Sequence, residues 1–110
     1  MNISEEFNAL ILRRKSIEGD IDYENEQIIQ DAIQLMIKDI TATISFLDND
    51  CTEEQFVWLS EIFDEIAERS NSSEFITALR RVAKRFPEAV RKYNIEYFID
   101  CAAEYLDKSA

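Results

Sequence analysis

The sequence predicts an all-α fold, a compact bundle of five or six helices with one long central helix. Three observations lead there. Apolar residues recur at intervals of three and four along almost the whole chain, the spacing of one helix face. No run shows the alternation of a half-buried strand. Glycine and proline occur once each, so the chain has neither low-complexity linkers nor glycine-rich loops that could cradle phosphate. Helices that each carry an apolar stripe must bury it against one another, which makes a packed bundle the expected architecture.

A first helix is expected over about residues 4–17, with Ser4 as N-cap and Phe7, Leu10, Ile11 and Ile17 facing inward. Gly19 to Asp22 breaks the pattern. The second helix then runs from about 23 to 47. Ile29, Ile33, Met36, Ile40, Ile44 and Leu47 form its seam, widened past half the circumference by Ile28, Ala32, Leu35, Ala42 and Phe46. A helix apolar over so wide an arc belongs at the centre of a bundle.

Thr52-Glu53-Glu54-Gln55 has the form of a capping box and opens a third helix over about 53–69. Phe56, Leu59, Ile62, Phe63 and Ile66 make its inner stripe. Asn71-Ser72-Ser73-Glu74 restarts the chain by the same logic, and Phe75, Ile76, Leu79 and Val82 line a fourth helix over 73–85. Pro87 ends that helix and can occupy the first turn of a short fifth one, 87–93. Asn94 is the expected cap of a sixth helix, about 95–107, with Ile95, Phe98, Cys101, Ala102 and Tyr105 inward.

At 110 residues the chain suits a single domain, and 46% hydrophobic residues place it outside the disordered class despite its charge. No apolar run approaches the roughly 20 residues of a membrane span. Met1 to Glu6 has neither the basic start nor the apolar core of a signal peptide, so a cytoplasmic location is expected. Cys51 and Cys101 stand far apart, with no histidine anywhere to help complete a zinc site. They are expected to be reduced and inert, Cys101 as a small buried hydrophobe, and no metal or other cofactor is expected.

The charge is the chain's most distinctive property. Asp and Glu number 23 against 12 Lys and Arg, a formal charge of −11. It is also segregated. Six acids and no base lie between residues 16 and 37, and nine acids and no base between 39 and 68. The bases collect in Arg13-Arg14-Lys15 and in Arg80, Arg81, Lys84, Arg85, Arg91 and Lys92, where internal ion pairs or an interface rim are expected. Solvated helix faces often carry charge runs, but solubility does not demand one sign per segment. An acidic surface built for a basic partner does.

Helix periodicity sharpens that surface. Glu54, Glu61, Glu65 and Glu68 project opposite the inner stripe of the third helix, with Trp58 at the edge. Tyr97 borders a second acidic face made by Glu96, Asp100, Glu104 and Asp107. A rigid ring flanked by carboxylates suits a protein interface, the ring anchoring and the acids steering a cationic partner. The competing reading of Trp58 is packing against a neighbouring helix. Asp39, inside the apolar arc of the second helix, and Arg14, on the inner stripe of the first, are expected to be structural polar groups or to lie at the bundle edge.

The second half of the chain carries a resemblance. Trp58-Leu59-Ser60-Glu61-Ile62-Phe63-Asp64-Glu65-Ile66, Ser73-Glu74-Phe75-Ile76, Arg85-Phe86-Pro87-Glu88 and Tyr93-Asn94-Ile95-Glu96-Tyr97 resemble small bacterial immunity proteins of polymorphic-toxin and contact-dependent growth inhibition systems. The resemblance spans about half the chain; residues 1–50 carry no matching motif. It implies a cytoplasmic antitoxin that is not an enzyme and that blocks the toxin domain of its own system. Many such toxins are nucleases with basic, phosphate-binding clefts, which an acidic inhibitor can occupy. A monomer joined to its toxin in a heterodimer is expected, although the broad apolar arc of the second helix leaves room for a homodimer.

Two alternatives fit parts of the pattern. An all-α, magnesium-dependent nucleotide pyrophosphohydrolase of MazG type would use paired acidic motifs. Glu61 with Asp64, Glu65 with Glu68, and Glu104 with Asp107 have the spacing that puts two carboxylates on one helix face. An acidic DNA mimic or adaptor would share the leading physics with a different partner. Direct nucleic-acid binding is disfavoured, because the net charge repels phosphate.

Overall fold

Side-chain caps and backbone bends mark most of the described junctions between helices, and these junctions set the architecture. The computed structural model describes residues 2–17 and 22–106. They form α1 (Ile3–Ser16), α2 (Asp22–Ile37), α3 (Ile40–Asn49), α4 (Glu53–Leu59), a 3-10 turn (Ser60–Ile62), α5 (Phe63–Ser70), α6 (Ser73–Arg85), α7 (Pro87–Tyr93) and α8 (Ile95–Ala103). No strand occurs among the described residues, and the all-α bundle is as the sequence predicts. None of these helices is long and apolar enough to cross a membrane. The expected break around Gly19 lies outside the described residues, as does Asp107.

The first cap is one turn feature earlier than expected. Asn2, not Ser4, accepts the Glu5 amide (2.9 Å), and Ser4 sits inside the helix. Glu5 and Glu6 in the first turn and Arg13, Arg14 and Lys15 in the last complement the helix dipole.

The largest departure is in the long helix expected over 23–47, which the structure divides at Lys38 and Asp39. Asp39 leaves the helical region (φ −147°) and its carboxylate accepts the Ala42 amide at 3.2 Å, capping α3. The buried Thr43 hydroxyl donates to the Met36 carbonyl at 2.6 Å, satisfying an acceptor near the end of α2. A run of β-branched residues (Ile37, Ile40, Thr41, Thr43, Ile44) weakens the local helix preference, so a good cap can win. The charge that conflicted with the apolar arc is therefore the residue that bends it.

The capping box of α4 forms as expected, Thr52 Oγ1 accepting the Gln55 amide (3.1 Å) and Gln55 Oε1 the Thr52 amide (2.9 Å). Gln55 is buried, and its Nε2 donates to the Ser4 carbonyl, Ser4 Oγ and Asn8 Oδ1 at 3.3, 3.1 and 2.9 Å. One side chain thus caps α4 and ties it to α1. The single helix expected over 53–69 is interrupted at Ser60–Ile62, where the Ser60 hydroxyl donates back to the Val57 carbonyl at 2.6 Å.

Further along, α6 starts at Ser73 and Pro87 opens α7, as predicted; the cap of α6 is Ser72, which accepts the Phe75 amide at 3.1 Å, one residue later than the Asn71–Glu74 pattern suggests. Asn71 and Asn94 adopt the left-handed conformation (φ 48° and 55°), which asparagine tolerates better than most residues. Asn94 makes no side-chain cap for α8, contrary to expectation; its role is the backbone reversal itself.

One continuous core runs from Phe7 and Ile11 through Ile33, Met36 and Leu47 to Leu59, Leu79, Ile95 and Ile99. Phe56 and Phe63 pack with ring centroids 5.5 Å apart, and Phe63 meets Phe75 edge-on at 6.5 Å. In α8 the buried stripe is Ile95, Ile99 and Ala102. Phe98 and Tyr105, expected inward, are instead exposed, and Cys101 is half-buried. Cys51 is buried, which pushes its thiol up to about 12 despite the nearby Arg85 charge, so it is protonated and inert at neutral pH.

Most of the basic residues of α6 serve the fold. Arg85 donates to the carbonyls of Leu47, Asp48 and Cys51 at 2.9, 3.3 and 3.0 Å. Arg81 forks onto Asp48 with two 3.0 Å hydrogen bonds. This holds the Asp48 carboxyl below its ordinary 3.8, the hydrogen bond to Arg81 outweighing desolvation.

Two stability predictions follow from these clasps. Gln55→Ala removes a buried four-bond hub and should lower unfolding free energy by about 2 kcal/mol, read as a lower urea midpoint at unchanged slope. For Asp48, whose folded pKa is depressed, the contribution is present above 3.8 and lost as pH falls through the lower folded value. Between 3.8 and that lower value, stability should therefore fall less steeply with falling pH in Asp48→Asn than in the parent chain.

Candidate partner-binding face

The side chains expected to meet a partner lie on two packed segments, α4 with α5 and α8. Helices α5 and α8 make the most extensive contact of any pair in the bundle. Ile66 and Ala67 on one side and Ile99 and Ala102 on the other are buried, leaving the outer edges of both helices to solvent.

A groove of about 310 Å³ joins the two segments, lined by Val57, Trp58, Ser60, Glu61, Tyr93 and Phe98. Trp58 and Glu61 come from the predicted acidic face. Tyr93 and Phe98 do not. Tyr97 continues the aromatic surface, its ring 5.8 Å from that of Phe98 in an edge-on arrangement. With Tyr105, four exposed rings lie along α7, α8 and the turn that follows: Tyr93 (45% exposed), Tyr97 (57%), Phe98 (41%) and Tyr105 (50%).

Trp58 fits the packing reading offered for it. The ring is half-buried and packs against the core. The guanidinium of Arg14 lies 5.7 Å from its centroid, so the charge that interrupts the inner stripe of α1 is stabilised by an aromatic face. Trp58 also borders a small, partly open cleft, about 30 Å³, shared with Phe7, Ile11, Arg14, Ala32 and Glu61. Its other border is the groove.

The predicted acids divide into paired and unpaired sets. Glu54 reaches Lys15 of α1 at 3.0 Å, Glu65 reaches Arg69 at 3.7 Å, and Asp100 reaches Arg80 of α6 at 3.1 Å, with Glu96 at 3.9 Å from the same guanidinium. Glu61, Glu68 and Glu104 have no cation within ion-pair distance among the described residues. The acidic face expected on α8 is thus split. Glu96 and Asp100 turn towards α6, whereas Glu104 lies on the side of Tyr97 and Cys101. There the Tyr97 hydroxyl is pushed above its ordinary value, first by its hydrogen bond with Cys101 and more weakly by the Glu104 charge.

Among the described residues no three acidic, cysteine or histidine side chains stand together in a way that could hold a metal ion. Asp64 accepts the amide of its neighbour Glu65 at 2.9 Å.

A scan against family models matches none, and searches of curated proteins and of solved structures also find no match.

Sequence reasoning missed Tyr93 and Phe98. Nearly every position of α8 is apolar or aromatic, so periodicity alone leaves its rotation ambiguous. The available signal was residue type: aliphatic Ile95 and Ile99 are better core candidates than tyrosines, which carry a hydroxyl needing water or a partner.

Three carboxylates without an ion-pair partner among the described residues, on a molecule already strongly negative, raise its self-repulsion. The triple change of Glu61, Glu68 and Glu104 to Gln should raise the melting temperature by about 1–3 °C at low salt and by less at high salt. Loss of stability instead would show that these acids have structural partners.

Proposed function

We propose that this chain is an immunity protein that binds and neutralises a cognate toxin domain with a basic active cleft, a nuclease being the class its resemblance implies. The observation that supports it best is the face just described. Glu61 lines the aromatic groove and Glu104 lies beside Tyr97, neither with a cation within ion-pair distance among the described residues, while most cations of α1 and α6 are engaged within the fold. Such acids cost stability, so their place beside exposed rings fits a surface kept for association. The rings supply anchoring area at low entropic cost, and the carboxylates steer and orient a cationic partner. The chain acts in this reading in the cytoplasm, as a monomer in a one-to-one complex, without catalysis of its own.

The test is recovery of a tagged chain from its native host, with bound protein identified by mass spectrometry. One stoichiometric basic partner is expected in about 0.1 M salt and much less of it in about 1 M, where screening shortens from about 10 to 3 Å. With that partner in hand, Glu61→Gln, Glu68→Gln and Glu104→Gln together should slow association about tenfold at low salt. Failure to recover any basic partner at low salt overturns neutralisation; an unchanged association rate in the triple variant overturns this face.

A further inference from the structure

The structure assigns the groove between α4, the 3-10 turn, α7 and α8 a specific occupant: a single arginine side chain presented by the partner protein. This rests on the reading of the face as a partner surface and names the chemistry that reading leaves open. At about 310 Å³ the groove lies at the low end of small-ligand sites, roughly 300–1,000 Å³, and suits one side chain.

Its lining selects among side chains. Trp58, Tyr93 and Phe98 contribute three aromatic rings and Val57 an aliphatic wall. The Ser60 hydroxyl is already donated to the Val57 carbonyl at 2.6 Å. Glu61 is therefore the one ionic group in the lining, and it has no cation within ion-pair distance among the described residues. An apolar knob filling the groove would cover that carboxylate without a partner, which is costly. An acidic side chain would add a like charge. A cation satisfies both the carboxylate and the electron-rich ring faces.

Between the two common cations, the groove favours arginine. A guanidinium is flat, weakly hydrated, stacks on aromatic faces and forks onto a carboxylate, whereas an ammonium is a compact, strongly hydrated point charge. The same tryptophan already accepts one guanidinium, that of Arg14, from the α1 side. Two of the lining rings already face a cation, Trp58 that of Arg14 and Tyr93 the Lys92 ammonium, 5.2 Å from its centroid. The repulsion of these cations makes the site dependent on Glu61, which gives the proposal a sharp test.

Trp58 is the only tryptophan in the chain and is its own reporter. The probe is an acetylated, amidated Gly-Arg-Gly peptide, whose only charge is the guanidinium, titrated against the full chain while Trp58 fluorescence and the indole Nε1–H resonance are followed. A saturable change is expected with the arginine peptide, a weaker one with the lysine peptide and none with the neutral citrulline isostere. Glu61→Gln should weaken the arginine peptide about tenfold, as loss of a charge-assisted fork implies, and Glu24→Gln, which changes an exposed acid on α2, should leave it unchanged. Equal binding of the citrulline or a leucine peptide, an unaltered affinity in Glu61→Gln, or no saturable change overturns the assignment. So does a Trp58 change on concentrating the chain alone, which would give the groove to a second copy. No toxin enters this titration, so it can fail while a basic partner is recovered from the host, or succeed where none is.

Discussion

The guanidinium of Arg85, shared among the carbonyls of Leu47, Asp48 and Cys51, is the junction on which the two halves of this protein depend. It closes the end of α3 from α6, across more than thirty residues of chain, and Arg81 locks the same corner through Asp48. Carbonyls at a helix end need donors, and a cation there is also favoured by the helix dipole. With α6 fixed against α3, α8 is held in turn by its packing on α5 and α6, and the aromatic edge of α8 is thereby set beside α4. The position of the candidate site thus traces back to a clasp on the opposite side of α6.

That clasp also shapes the electrostatics. Arg80, Arg81, Arg85, Arg13 and Lys15 each engage an acceptor within the fold. Exposed pairs of this kind contribute little stability individually. Their larger effect is on where negative charge is left uncompensated. Glu61, Glu68 and Glu104 stand apart from these cations; Glu61 lines the aromatic groove and Glu104 lies beside Tyr97. A surface with this combination attracts cationic partners from a distance and grips them through apolar area on contact.

Much of the fold was legible because local chemistry and the global packing agree. The Thr52–Gln55 box, Ser72 and Pro87 mark helix starts at the positions the sequence predicts, since capping and proline geometry act over only a few residues. The errors fall where a residue could serve two masters. Asp39 reads as a misplaced charge in an apolar arc until its carboxylate is seen to cap α3. Arg14 reads likewise until Trp58, more than forty residues away, supplies a ring beneath it. For the site, the acids and Trp58 were visible as types and spacings, but their pairing was not. Whether Glu54 or Glu61 meets a cation depends on how α1 lies against α4, a tertiary fact that periodicity does not contain. The rotation of α8 was hidden for a related reason: a helix apolar on nearly every side offers no contrast from which to read its phase.

The joints between helices carry a kinetic consequence. Phe86 alone separates α6 from α7, and Asn94 alone separates α7 from α8. Closing so short a connection forfeits little chain entropy, and each helix finds its sequence neighbour without a long search. Helical domains rich in such local contacts fold on the order of microseconds to milliseconds. The aromatic edge and its carboxylates are therefore assembled within moments of the chain leaving the ribosome, on a timescale far shorter than synthesis itself.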